Sequence, residues 1–224
     1  MADVSSALAA RSPRRPRPAG VNGWLLHPLT KPLLFGLSLL PFAWLLYGAV
    51  ANTLGANPAE ALIRATGDWT LRFLCLTLAI TPLRHWSGWH SLARLRRMLG
   101  LFTYFYVLLH LLCFAWLDMG FDPTAIAKDI GKRPFILVGF SAFVLLTPLA
   151  LTSFNRAVKL LGAARWQALH RLVYLIAGLA ILHFFWMRSA KHNYAEVAVY
   201  ATILAVLLGA RIGRWLRRRP PQGA

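Results

Sequence analysis

The sequence predicts an all-α membrane protein of about six transmembrane helices, with a four-helix core and both termini cytoplasmic. Three observations predict it. The chain has 224 residues, 58% hydrophobic and only 14% charged, against about 25% charged in an ordinary soluble domain. Its apolar runs approach the roughly 20 residues that cross the hydrocarbon layer as a helix. Its cations alternate: residues 1–31, 84–97, 153–171 and 211–219 hold 18 of the 25 Lys and Arg. The segments around 52–72, 118–134 and 188–191 hold the other 7, and six of the seven acids fall in or beside them. About +17 therefore lies on one side of the membrane and +1 on the other. The positive-inside rule gives that pattern for an even number of spans with both ends in the cytoplasm. It accounts for the net charge of +18 with no nucleic acid as partner, since a nucleic-acid binder gathers its basic residues on one face of a soluble fold.

The elements follow in order. Residues 1–23, with Arg14-Arg15-Pro16-Arg17-Pro18, read as a disordered basic cytoplasmic tail. Leu33–Ala51 is the first span and reads as a retained signal-anchor, because the run is long and lacks a small-residue cleavage site. Trp69–Leu83 is the second and shortest. Met98–Leu117, Phe135–Thr152, Gln167–Met187 and Tyr194–Ile212 complete the six. Residues 217–224 form a second basic cytoplasmic tail, whose Arg217-Arg218-Arg219 suits anionic lipid. The longest connections are all under 20 residues and no dinucleotide or P-loop glycine pattern occurs, so the chain holds no nucleotide-binding domain. Cys75 and Cys113 form no C-x-x-C pair, and C-x-x-C-H is absent, so any haem is not covalently attached.

Spans two and four end alike, in Thr81-Pro82-Leu83 and Thr147-Pro148-Leu149, each followed by basic residues and then by a helix with a histidine near its far end. Thr-Pro as a common helix stop explains this plainly. A repeated helical hairpin, spans two–three and four–five, explains it equally well and supplies the four-helix core.

Of seven histidines, His27, His85, His90 and His192 fall in connections or tails and read as solvated or interfacial. His110 and His183 sit inside apolar runs, Leu108-Leu109-His110-Leu111-Leu112 and Ile181-Leu182-His183-Phe184-Phe185. An ionisable group there should face the bundle interior and have a partner. Helix rise places His110 roughly 18 Å and His183 roughly 24 Å from the cytoplasmic ends of their spans. Two neutral imidazoles at similar depth on facing helices can ligate one iron axially. His170 lies 13 residues before His183, about 20 Å nearer the cytoplasm and about 140° round an ideal helix. It reads as a second station, for another haem or for a quinone or flavin headgroup, with Gly178 as the point where a distortion would realign the two. Met98 is a candidate His/Met partner for it. Arg96, fourteen residues before His110 and on the same face, suits an anion such as a haem propionate, a flavin phosphate or a quinone oxygen, and reads equally well as a topology-setting arginine.

These residues carry a resemblance. Gly67-Asp68-Trp69-Thr70-Leu71-Arg72-Phe73, the run from Leu76 to Arg84, Leu95-Arg96-Arg97-Met98-Leu99-Gly100, Lys132-Arg133-Pro134-Phe135, Leu149-Ala150-Leu151-Thr152-Ser153 and the run from Trp166 to Tyr174 together resemble the MsrQ (YedZ) family of haem-binding membrane subunits. The resemblance covers about residues 31–190 and makes 24–216 a ferric-reductase-like transmembrane haem domain. It implies a multi-pass protein of the bacterial inner membrane that carries electrons rather than catalysing the final reduction. The implied partners are the quinone pool, as donor, and MsrP, a periplasmic molybdopterin-containing reductase that repairs methionine sulfoxide in oxidised proteins. The implied cofactors are haem b, one or two, and FMN, the latter by resemblance alone. The family's histidines fall on His110, His170 and His183. Larger relatives carry two histidines on each of two helices, whereas span three here keeps one, which leaves a second bis-histidine haem without its fourth ligand. The competing readings are a stand-alone ferric or oxygen reductase-type cytochrome and a small transporter using the histidines as a proton relay.

Overall fold

The structure, a computed structural model, describes residues 20–189 and 194–217. Most of the N-terminal tail, His192, Arg218 and Arg219 lie outside the described residues. Ten α-helices and no strand occur among those described. They are α1 (Val21–Leu25), α2 (Thr30–Val50), α3 (Pro58–Ser87), α4 (Arg96–Cys113), α5 (Pro123–Lys132), α6 (Pro134–Leu151), α7 (Asn155–Leu161), α8 (Ala163–His170), α9 (Leu172–Ser189) and α10 (Ala195–Arg217). A 3-10 segment, His90–Leu95, leads into α4, and one π-helical turn, Phe114–Asp118, closes it.

The chain is an all-α membrane protein. Five segments are long and apolar enough to cross a bilayer: α2, His90–Asp118 through α4, α6, Ala163–Ser189 through α8 and α9, and α10. Large apolar side chains such as Leu33, Leu37, Leu40, Leu137, Leu151, Val199 and Val206 stand exposed on them, as a lipid-facing surface requires.

The shortest expected span is the longest helix. α3 has 30 residues, about 45 Å at 1.5 Å per residue, and begins eleven residues before Trp69. Its first half carries Glu60, Arg64, Asp68 and Arg72, which interrupt the apolar run without breaking the helix. Their four-residue spacing puts them on one face, where Glu60 pairs with Arg64. Arg72 lies 4.5 Å from the Trp69 ring centre and donates to Tyr200 Oη at 3.1 Å. Asn57 caps the start by accepting from the Glu60 amide at 3.1 Å, and Pro58 follows at the first turn, a strong local start signal.

The two Thr-Pro sequences do not end their helices. Pro82 and Pro148 lie inside α3 and α6, which run on to Ser87 and Leu151. The hairpin reading fares better. α3 packs along α4 and α6 along α9, and these two pairs are the most extensive helix contacts described. Leu74 and Leu78 of α3 meet Ala177 and Phe184 of α9 in one core cluster. Phe73 and Ile80, on the other face of α3, pack with Phe102 and Tyr106 of α4. Ala142 and Leu146 of α6 pack on Ile176 of α9.

α2 docks through Ser38, Pro41, Leu45 and Gly48, and Tyr106 fixes it there. The fully buried phenol donates to the Ser38 carbonyl at 2.8 Å and accepts from the Phe42 amide at 3.1 Å. It thus bridges the i→i−4 pair beside Pro41, an insertion of the kind that bends helices.

Candidate functional site

Two cavities follow one another along the four-helix core, both bordered by Leu74, Thr103 and Leu146. The one farther from the expected cytoplasmic side, called the outer cavity, has about 460 Å³ and is lined by both His110 and His183. The inner one, of about 450 Å³, is lined by His170 and by Arg96, Arg97, Arg171 and Arg211.

In the outer cavity the structure brings together the two histidines from apolar runs. Their ring centres lie 6.2 Å apart, with the planes at 76°. His110 Nδ1 is 2.8 Å from the Ile63 carbonyl oxygen, and His183 Nδ1 is 2.6 Å from that of Phe135. A carbonyl only accepts, so each Nδ1 carries the hydrogen and each neutral ring keeps its lone pair on Nε2. Metal-bound imidazoles commonly have this arrangement, with the second ring nitrogen donating to a backbone carbonyl. With Fe–N near 2 Å, as for other imidazole–metal bonds, and ring nitrogens about 1.1 Å from the ring centre, two imidazoles on one iron have centres about 6.2–6.3 Å apart. The observed separation fits, and the cavity volume lies in the range of cofactor pockets.

Each ring rests on a glycine of the first helix of its hairpin. A Cβ on Gly67 of α3 would stand 3.1 Å from His110 Cε1, and one on Gly139 of α6 would stand 2.7 Å from His183 Nδ1. In both hairpins the glycine lies four residues after the accepting carbonyl, Ile63 before Gly67 and Phe135 before Gly139. One helical turn therefore presents an acceptor and a bare backbone on one face. Sequence reasoning missed both glycines. The one available signal was their matched distance, 43 residues before His110 and 44 before His183.

His170 ends α8, and the helical ladder is interrupted at Arg171 before α9 begins. The distortion between His170 and His183 therefore lies at Arg171 and not at Gly178, which is inside α9. His170 Nδ1 donates to the Trp166 carbonyl at 3.0 Å, and its ring stacks on Trp166 at 3.8 Å between centres. Its Nε2 is buried without a hydrogen-bond partner. The Trp166 indole donates to the Thr152 carbonyl at 2.9 Å, tying α8 to the end of α6.

Met98 does not line this inner cavity. It packs with Phe73, Ile80 and Leu99 on the side facing α2, because its position on α4 turns it away from α9. Arg96 does line the cavity, and donates to Thr81 Oγ1. It borders the inner cavity and not the outer, so its anion is not one held beside His110. Arg211 of α10 was not singled out from sequence. It reaches between α3 and α9, donating to the Leu78 carbonyl at 2.6 Å and to Tyr174 Oη at 3.0 Å.

A model of the ferric reductase like transmembrane component family matches residues 66–181, the stretch that holds Gly67, His110, Gly139 and His170. A curated protein of Polaromonas naphthalenivorans (strain CJ2) is 67% identical over 90% of this chain and 92% of its own length. One of Herminiimonas arsenicoxydans is 56% identical over 85% of this chain and 88% of its own length, and one of Rhodospirillum rubrum 49% over 83% and 88%. Each of the three is named a protein-methionine-sulfoxide reductase heme-binding subunit, MsrQ. No solved structure matches the chain. The chain belongs to the MsrQ family of ferric-reductase-like transmembrane proteins.

Proposed function

We propose that this member of the family is a haem b electron-transfer subunit of the bacterial inner membrane, serving the repair of oxidised methionine in periplasmic proteins. Electrons come from the quinone pool on the cytoplasmic side and leave for a periplasmic molybdopterin reductase of the MsrP kind, with FMN as a further cofactor. His110 and His183 would hold one haem. The observation that carries this reading is the imidazole pair, 6.2 Å between ring centres with both Nδ1 atoms engaged by backbone carbonyls.

When bound, the haem supplies a one-electron Fe(III)/Fe(II) couple. The chain's own residues do the rest. The Ile63 and Phe135 carbonyls hold each imidazole in the tautomer that leaves Nε2 free to ligate, and they fix its orientation. Leu71, Leu74, Phe143, Leu146 and Ile176 wall the outer cavity with hydrocarbon, which excludes water and so shapes the redox potential. Asp68, Arg64 and Arg133 stand on the same cavity and supply its polar margin. His170 lies about 20 Å closer to the cytoplasm by helix rise, where electrons arrive.

The test is absorption spectroscopy with quantitative haem analysis of purified protein. His110→Ala and His183→Ala should each lose the Soret and α bands while the folded, monodisperse protein remains, and His170→Ala should keep them. Retention of the bands in both of the first two variants would overturn the axial pair.

A further inference from the structure

We infer that Asp68 is a tuning carboxylate of the outer cavity: its charge favours the oxidised state of the haem that His110 and His183 would hold, and so lowers the midpoint potential. The inference rests on the haem reading above and concerns a side chain that neither the imidazole pair nor the glycine cradles use.

Apart from the histidines, five acidic or basic side chains line the outer cavity: Glu60, Arg64, Asp68, Asp118 and Arg133. Glu60 and Arg64 pair with each other, and Arg133 pairs with Asp129 at 2.9 Å. Asp118 is exposed, on the π-helical turn after α4. Asp68 is left. It is half-buried and makes neither a hydrogen bond nor an ion pair among the described residues.

Its place in α3 aims it at the cavity. Four residues after Arg64 and three before Leu71, it shares a face with both, and both line the same space. It directly follows Gly67, on which the His110 ring rests. By helix rise it lies about 12 Å further along α3 than Glu60, past the paired charges of the helix start. An ionisable side chain at such depth is costly and marks function by default.

The cations near Asp68 are engaged elsewhere. Arg188, Arg72 and Arg64 are close enough to attract its charge, with Glu196 opposing them. Arg64 is committed to Glu60, and Arg188 to Glu196. Arg72 donates to Tyr200 Oη at 3.1 Å and lies over the Trp69 ring. Neither Arg72 nor Arg188 lines the cavity. The carboxylate therefore stands on the same space as the imidazole pair, and its compensating charge stands behind it.

Two neutral imidazoles among Leu71, Leu74, Phe143, Leu146 and Ile176 offer little to offset the extra charge of Fe(III), and hydrocarbon penalises charge. A carboxylate in the same low-dielectric space interacts more strongly with the more positive oxidation state. Asp68 thus makes the electron easier to pass on. An Asp68 that only tied α3 to α9 and α10 would not give a potential that follows the sign of the charge removed.

The test is a redox titration of the full chain, haem-loaded, in phosphatidylcholine nanodiscs at about pH 8, where a carboxylate is charged. In Asp68→Asn the Fe(II):Fe(III) ratio at a fixed poise should rise about tenfold, about 59 mV for a one-electron couple, with the Soret position unchanged. Asp68→Glu keeps the charge and should stay near the parent. Arg72→Gln removes the charge behind Asp68 and should lower the midpoint. Opposite signs from the two neutralising changes support the inference. An unmoved midpoint in Asp68→Asn, shifts of one sign in both, or a Glu variant displaced as far as the Asn variant overturns it. Should Asp68→Asn not fold, Arg72→Gln decides: a lowered midpoint supports the inference, and an unmoved or raised one overturns it. A parent without Soret and α bands overturns the imidazole pair and this inference with it, whereas intact bands with an unmoved midpoint overturn this inference alone.

Discussion

At the scale of single residues, the outer cavity depends on two hydrogen atoms. Gly139 and Gly67 carry no Cβ where His183 and His110 rest, and the two positions are not equally tight. A methyl group at 139 would stand 2.7 Å from a ring nitrogen already bonded to the Phe135 carbonyl, whereas at 67 the nearest approach is 3.1 Å. The His183 ring has no slack, since moving it breaks that bond. Gly139→Ala should therefore lower haem occupancy more than Gly67→Ala, and protein that retains haem should show a shifted midpoint potential. Haem-to-protein ratios and a redox titration of the two variants check this, and equal full occupancy at unchanged potential would refute it. Tyr106 offers a second residue-scale expectation. It is wholly buried and its hydroxyl serves both Ser38 and Phe42. Tyr106→Phe removes both of these bonds between α4 and α2, at a net cost of roughly 0.5–1.5 kcal/mol each. The expected result is a lower thermal midpoint in detergent with the haem spectrum unchanged, because the loosened contact is α2 on α4 and not the imidazole pair.

At the scale of elements, the sequence made some features legible and hid others for physical reasons. His110 and His183 could be matched in depth because helix rise is constant and because an imidazole inside an apolar run is conspicuous. The length of α3 was hidden, since Glu60, Arg64, Asp68 and Arg72 break the hydropathy signal while their own spacing favours a helix. The clearer signal was Asn57-Pro58 with Glu60 behind it, a helix start. The glycine cradles and Arg211 were hidden more deeply, because they are contacts between helices far apart in the chain and no local pattern encodes them. α5 shows a local pattern that does work alone. Asp122 caps it, accepting from the Thr124 hydroxyl at 2.7 Å and from the amides of Thr124 and Ala125 at 2.8 and 3.3 Å. Those bonds, the hydroxyl first, hold the Asp122 carboxyl below its ordinary value of 3.8. A lowered folded-state value means that the cap stabilises α5 fully above that ordinary value. The contribution is lost as pH falls through the lowered one. Amide exchange in α5 should accordingly be flat in protection from neutral pH down to about pH 4 and lose protection below it, and Asp122→Asn should flatten the acid limb. Acid-limb behaviour unchanged in that variant would assign it to other carboxylates.

At the scale of the whole molecule, charge and chemistry have the same polarity. The basic connections flank the inner cavity, with Arg84, Arg96, Arg97, Arg171 and Arg211 near it, while the described acids gather toward the outer one. The same Lys and Arg that are expected to orient the chain in the membrane therefore decide which side each cavity faces. The span count bears directly on this. Five segments qualify by length and apolarity and α3 does not, yet α3 supplies Gly67, the Ile63 carbonyl and the Leu74–Leu78 core face to the same bundle. Packed between α4, α9 and α10, it needs less hydrocarbon of its own than a helix that faces lipid, and we propose that it spans as the sixth. Six spans return the C-terminus to the side on which the chain began; five would put the basic end after α10 on the opposite face. A fluorescent protein fused after Ala224 should therefore fold and fluoresce in the cytoplasm. Alkaline phosphatase inserted in the connection after Asp122 should be active outside, and phosphatase fused after Ser153 should be inactive. A bright phosphatase signal at the C-terminus would remove α3 from the membrane, separate Gly67 from His110 in any spanning arrangement, and overturn the four-helix core with it.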